Sequence, residues 1–241
     1  MHKRIVLSAL FFVSTTPQLL QAQMVDSAAI TTAVPDKIQT HAVSSLRLIV
    51  PAAMFTYGVS ALHTPVLREF NKEVHQTVAT DKREKHITVD DYLQWSPALA
   101  VYGLNLAGIK GKHKMIDRTF LFGFANLIQG GATHIIKRTS NEMRPDFSNK
   151  LSFPSGHTAT AFANAEFMRM EYKDVSVWYG VAGYAAAAAT GYLRMYNNRH
   201  WLSDVVAGAG VGILSTQAAY FLYPRVKKLV TRHKHTPAYL N

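Results

Sequence analysis

A chain of 241 residues, 48% of them apolar and only 17% charged, has ample material for a core and leans toward a protein at home in lipid. Its formal charge of +11 suits anionic partners such as phosphates, anionic lipid surfaces or nucleic acid. The absence of cysteine excludes disulfides, thiolate metal sites and cysteine nucleophiles.

Residues 1–23 read as an export signal: "MHKR" is a basic n-region, "IVLSALFFV" a short apolar run and "QLLQAQ" a processing region. An uncleaved membrane anchor is the alternative. Residues 24–45 are polar and β-branched and predict a loosely ordered lead-in. A single helical domain is expected over 46–235, followed by a short tail at 236–241. Within it, apolar stretches at 46–62, 93–110, 119–136, 157–170, 176–193 and 204–223 predict five or six core helices. The polar stretch 63–92 reads as an amphipathic surface helix plus a turn. Period-two alternation is nearly missing, so the fold class is all-α, a membrane-associated helical bundle. The runs "GYAAAAATGY" and "GAGVG" predict close helix packing and no chemistry.

Crossing a bilayer takes about twenty apolar residues, and several of these stretches are shorter or interrupted by Asn, Gln and His. A soluble exported bundle therefore stays open beside the membrane-embedded one. Loop charge sets an orientation: "KGKHKMIDR" at 110–118 carries four Lys/Arg against one Asp, and the tail segment "PRVKKLVTRHK" is equally basic. Positive loops stay in the cytoplasm. With both inside, 137–156 and 194–203 share the outer face. A cleaved signal then leaves 46–62, with Pro51 inside it, along the membrane interface; the competing placement keeps 1–45 inside and lets 46–62 cross.

The stretch "LSFPSGHTATAF" (151–162) puts Ser155, Gly156 and His157 at a helix start, where unpaired N–H groups and partial positive charge attract anions. Taken alone it is an ordinary capped helix. Upstream, "KRTSNEMRP" places Lys137 and Arg144 near a helix C-terminus, where basic residues also serve the dipole. Downstream, "RMYNNRHWLSD" supplies Arg194, His200 and Asp204, the last two equally compatible with an i, i+4 surface pair. Together they are the inventory of phosphoryl transfer: cations and backbone donors around the oxygens, a nucleophile and an acid. His200, its tautomer fixed by Asp204, fits the nucleophile, and His157 is then free to protonate a departing oxygen. No carboxylate other than Asp204 is expected to offset the cations.

Lys137-x6-Arg144-Pro145, Pro154-Ser155-Gly156-His157 and Arg194-x5-His200-x3-Asp204 resemble the three-part signature of the type 2 phosphatidic-acid phosphatase (PAP2) superfamily. That superfamily includes bacterial lipid phosphatases, soluble exported acid phosphatases and vanadium haloperoxidases. The resemblance implies that His200 forms a phosphohistidine, that Asp204 orients it, and that His157 is the general acid and later activates water. It implies phosphate binding by Lys137, Arg144, Ser155, Gly156 and Arg194, with no metal and no other cofactor. Leu193 stands where the family usually has Ser, which bears on one secondary hydrogen bond. The segment "MYNNRHWLSDVVAGAGVGILS" is similar to lipid A phosphatases of the Bacteroidetes type. The implied partner is a phosphorylated membrane lipid, at the periplasmic face of a bacterial inner membrane. Undecaprenyl diphosphate phosphatase and a soluble periplasmic acid phosphatase remain as alternatives. Nucleic acid is not an expected partner, because the basic residues flank the apolar stretches instead of forming a stripe with interleaved aromatics.

Overall fold

The computed structural model describes residues 36–79 and 87–233. The described residues form eight helices and no strand: α1 (Asp36–His63), α2 (Pro65–Val78), α3 (Val89–Leu93), α4 (Ser96–Leu106), α5 (Met115–Ser140), α6 (Gly156–Tyr172), α7 (Val177–Tyr196) and α8 (Leu202–His233). The all-α expectation holds, and each predicted core stretch falls within one of these helices or overlaps it. Residues 36–45, expected as loose lead-in, are instead the first turns of α1. The proposed export signal at 1–23, the rest of the lead-in and the tail at 236–241 lie outside the described residues.

Helix α6 occupies the centre, packed by α4, α5, α7 and α8. Small residues set its spacing: Ala161, Ala165 and Ala187 form a buried α6–α7 cluster. On α8, Gly208 and Gly212 face α6, while Gly210 faces α1. A methyl on Gly208 would meet Ser155 O at 2.6 Å and one on Gly210 would meet Pro51 O at 2.5 Å, so the backbones touch through these glycines. The "GAGVG" run is therefore packing, as its composition predicted.

The interior is unusually polar. Buried Glu166 accepts from Arg169 Nε and Nη2 at 2.6 Å each and from Tyr184 Oη at 2.6 Å. Buried Glu171 accepts from Arg118 Nε at 3.1 Å and Tyr220 Oη at 2.7 Å, and pairs with His113 Nδ1 at 2.7 Å. Buried charges persist only when paired in this way. Meanwhile Leu99, Ile116, Leu127, Ile135 and Trp178 are exposed, an apolar outer surface around a polar centre. One described stretch, Leu202–Lys228, is long and apolar enough to cross a membrane.

Helix α1 runs antiparallel beside α8: Gln217 Nε2 donates to Arg47 O at 3.0 Å near one end, and Gly58 lies against Ala207 near the other. Residues 46–62 thus run alongside α8 within the bundle. Helix α2 lies at the end of the bundle where α8 begins, tied to it by Asn71 Nδ2 donating to Ser203 Oγ at 2.9 Å. The C-terminal ends of α5 and α7 and the N-terminal ends of α6 and α8 meet at that end. At the opposite end, Lys227 Nζ reaches Asp117 Oδ2 at 2.7 Å, so the two basic segments share a face far from it.

Candidate active site

Helix α5 stops at Asn141, whose φ of 50° is a left-handed cap that Asn tolerates better than most residues. Just before it, Lys137 Nζ donates to the carbonyls of Leu151 (2.7 Å), Ser152 (3.2 Å) and Pro154 (2.8 Å). All three ammonium donors are committed, which binds the end of α5 to the turn that opens α6. In this arrangement Lys137 has no N–H left to offer a ligand, and only its charge extends beyond the turn. Burial, and then the neighbouring Arg144 charge, pull its ammonium down to about 8. The intervening loop is pinned by Ser152 N donating to Glu142 O at 3.0 Å and by an Arg199–Asp146 ion pair at 3.0 Å.

His200 is 2% exposed, so with Asp204 it is no surface pair on a helix face. It sits in the turn before α8, and Asp204 occupies the first turn of that helix, with His200 Nδ1 3.4 Å from Asp204 Oδ2. The same carboxylate oxygen accepts from Ser152 Oγ at 2.5 Å and from Trp201 N at 2.9 Å. Ser152, fully buried and 3.5 Å from His200 Nδ1, is thus a third member of the group. Ser155 N donates to Asp204 O at 2.9 Å, stitching the start of α6 to the start of α8 through the main chain. Burial, followed by the charges of Lys137, Arg194, Arg144 and His157, holds the His200 imidazole well below its ordinary range. It is therefore neutral at pH 7, with Nε2 left as a lone-pair donor.

Two guanidinium groups flank this imidazole. Arg144 Nε and Arg194 Nε are both buried without a protein acceptor among the described residues. Buried donors are nearly always satisfied, so a pair of unmatched N–H groups beside a buried imidazole is a feature of an oxyanion site. At the first turn of α6, Thr158 N and Thr158 Oγ1 both donate to Ser155 Oγ, at 3.4 and 2.8 Å. Ser155 is therefore the helix cap, and its own O–H remains available to donate. Ala159 N is paired with Ser155 O, which leaves the Gly156 and His157 N–H groups for an external acceptor. A side chain at Gly156 would meet only Thr133 Cγ2, at 3.9 Å, so protein packing does not require glycine there.

The expectation that only Asp204 offsets the cations is corrected by α3. Asp90 Oδ2 pairs with Arg194 Nη1 at 2.7 Å, and Asp91 Oδ1 with His157 Nε2 at 2.7 Å. Asn197 locks the same segment in place, donating to Ile87 O at 2.8 Å and accepting from Ile87 N at 3.1 Å. These partners lie far apart in sequence, and 63–92 has the pattern of an ordinary surface helix, so nothing local marks Asp90 or Asp91. Ser152 had a weak signal, as the first hydroxyl of "LSFPSGH". Trp201 is a wall residue, its Nε1 bonded to Met143 O at 2.8 Å and its ring 5.1 Å from that of His75. His113 is structural, through its pairing with Glu171.

The three sequence motifs thus meet at one end of the bundle. The profile of the PAP2 superfamily matches residues 118–228. Lipid A 1-phosphatase of Porphyromonas gingivalis is 40% identical over 138 residues, which are 57% of this chain and 31% of that protein. The chain therefore spans under a third of that curated relative's length, at 31%. Among solved structures, Aquifex aeolicus LpxE is similar over 63% of this chain and 95% of its own, with 19% identity and a TM-score of 0.47. The transmembrane PAP2-type phosphatidylglycerolphosphate phosphatase of Bacillus subtilis is similar over 73% and 97%, with 18% identity and a TM-score of 0.47. The segment 118–228, which carries Lys137, Arg144, the start of α6, Arg194, His200 and Asp204, is a PAP2 superfamily domain.

Proposed function

We propose that this protein is a metal-independent lipid phosphatase that acts through a phosphohistidine, with lipid A the favoured substrate. The observation that carries this is the buried neutral His200 beside Asp204, flanked by two guanidinium groups with unmatched Nε–H donors. His200 Nε2 attacks phosphorus as the bond from phosphorus to the lipid oxygen breaks, and His157 gives that oxygen a proton. Water then loses a proton to His157 and attacks phosphorus, the N–P bond breaks, and inorganic phosphate and free imidazole result. Arg144, Arg194, Ser155 Oγ and the Gly156 and His157 N–H groups bind the three non-bridging oxygens. The charge of Lys137 adds to theirs. The 3.4 Å contact between His200 and Asp204 is at the outer limit of a hydrogen bond, and contacts of this kind tighten in the substrate complex.

The 40% identical Porphyromonas gingivalis relative, named as a lipid A 1-phosphatase, supports lipid A over undecaprenyl diphosphate. The apolar outer surface and the Leu202–Lys228 stretch support residence in a membrane. The two basic segments sit at the end opposite His200, and basic ends face the cytoplasm, which supports a site facing the periplasm. The test is phosphate release by the purified protein from lipid A and from undecaprenyl diphosphate, followed by mass spectrometry of the product lipid. His200→Ala is expected to fold and to abolish turnover; normal turnover in that variant would remove His200 as nucleophile. Preference for undecaprenyl diphosphate would overturn the substrate assignment and keep the chemistry.

A further inference from the structure

The family match begins at residue 118, and two carboxylates that touch the site lie ahead of it. Helix α3 is only five residues long, yet it contacts both α6 and α7. Its buried Asp90 takes one guanidinium nitrogen of Arg194 at 2.7 Å, and Arg194 Nε is the nitrogen left without a partner. Its half-exposed Asp91 meets the His157 imidazole at 2.7 Å. We propose that Asp90 and Asp91 are a positioning pair for the phosphatase reaction, Asp91 orienting the His157 ring and favouring its protonated form, and Asp90 aiming Arg194 Nε at the substrate's phosphate.

The physical argument starts from what His157 must do. A general acid has to carry a proton when the P–O bond breaks. The groups that face this ring are Arg194 from α7, Asp90 and Asp91 from α3, and His200 from the turn before α8. Arg194 repels an imidazolium, and partial burial disfavours it further. Together they hold the ring below its ordinary range, and Asp91, in hydrogen-bond contact with it, opposes them in part. It stabilises the second ring proton, the one delivered to the departing oxygen. Asp90 meanwhile neutralises part of the Arg194 charge without blocking Nε. Asp91 also fixes where the ring lies, since among the described residues it alone bonds to the His157 side chain. The leaving-group side of the site is therefore built by an element outside the family-matched segment. Leu193 cannot offer Arg194 a side-chain hydrogen bond, and Asp90 supplies one from across the bundle.

This proposal rests on the phosphatase reading, so its test has one arm that does not need turnover. Asp91 is exposed enough that Asp91→Asn should fold normally. In detergent-solubilised protein, the NMR titration midpoint of the His157 ring should fall by about one pH unit in Asp91→Asn, as expected for loss of one contacting charge. In the activity arm, Asp91→Asn should lose about tenfold in kcat on dodecyl phosphate, a poor leaving group, and less than about threefold on 4-nitrophenyl phosphate. The alkaline limb of its kcat profile should move to lower pH, and Asp91→Glu should restore part of the loss. Asp90→Asn should weaken vanadate inhibition about tenfold with a smaller effect on kcat. An unchanged ring midpoint, or equal losses on both substrates, overturns the proposal. If the wild-type protein releases phosphate from neither substrate, the phosphatase reading falls, and the ring titration still decides whether Asp91 governs His157.

Discussion

Ser152→Ala isolates a contact that only a weak sequence signal marked. Asp204 Oδ2 has three neighbours: Ser152 Oγ at 2.5 Å, Trp201 N at 2.9 Å and His200 Nδ1 at 3.4 Å. Asp204 Oδ1 has none among the described residues, so removing the serine hydroxyl takes the shortest bond from an already under-satisfied buried carboxylate. A hydrogen bond to a charged group is worth about 1.5–3 kcal/mol. At about 1.4 kcal/mol per tenfold, the loss in kcat/KM should lie between about 10- and 150-fold if it falls on the transition state. Phosphate release, with a melting curve on the same sample, measures both destinations of that energy. The decisive comparison is a double-mutant cycle with Asp204→Asn. If Ser152 works by holding the Asp204 carboxylate, its removal should cost less than about threefold once Asp204→Asn is already in place. A Ser152→Ala protein within about twofold of wild type in kcat/KM, with an unchanged melting curve, would refute the reasoning.

Gly156→Ala should fold at least as stably as the wild type, because the added methyl meets only Thr133 Cγ2 at 3.9 Å. It should bind vanadate at least about tenfold more weakly if the phosphate rests on the first-turn N–H groups; equal inhibition constants would place the anion elsewhere. Lys137 carries its proton below about 8 and loses it above, so vanadate inhibition and substrate KM should both weaken as pH rises through that value. A flat dependence across that pH range would mean that the ammonium charge does not act on the anion. EDTA should leave turnover unchanged, since Arg144, Arg194 and Lys137 supply the positive charge. Loss of activity would instead give a metal to Asp90, Asp91 and His157, whose ligand atoms lie within 4.8 Å of one another.

What could be read from the sequence was whatever the chain writes locally. Helix existence followed from apolar periodicity, and the three motifs followed from short fixed spacings around His157, His200 and Lys137. The glycines of "GAGVG" announced a close helix contact without naming the partner helix. What could not be read is carried by pairings that bridge long stretches of chain. Asp90 meets Arg194 across 104 residues and Asp91 meets His157 across 66. Asn71 meets Ser203 across 132. No periodicity encodes such distances, and an acidic pair in a polar stretch has the same pattern whether it faces water or an imidazole across the bundle. Lys137 is a subtler case: its charge was anticipated, but the three carbonyls that take its donors become neighbours only when the turn before α6 folds back.

The glycine seam between α6 and α8 has a mechanical consequence. The imidazole of His157 rides on one of these helices and that of His200 precedes the other, and no side chain thicker than a hydrogen separates their backbones at Gly208 and Gly212. The separation of the two backbones that carry these rings is thus set by main chain on main chain, which side-chain rotamers do not alter. Any side chain larger than hydrogen at Gly208 or Gly212 would push the starts of α6 and α8 apart and widen the distance between the two rings.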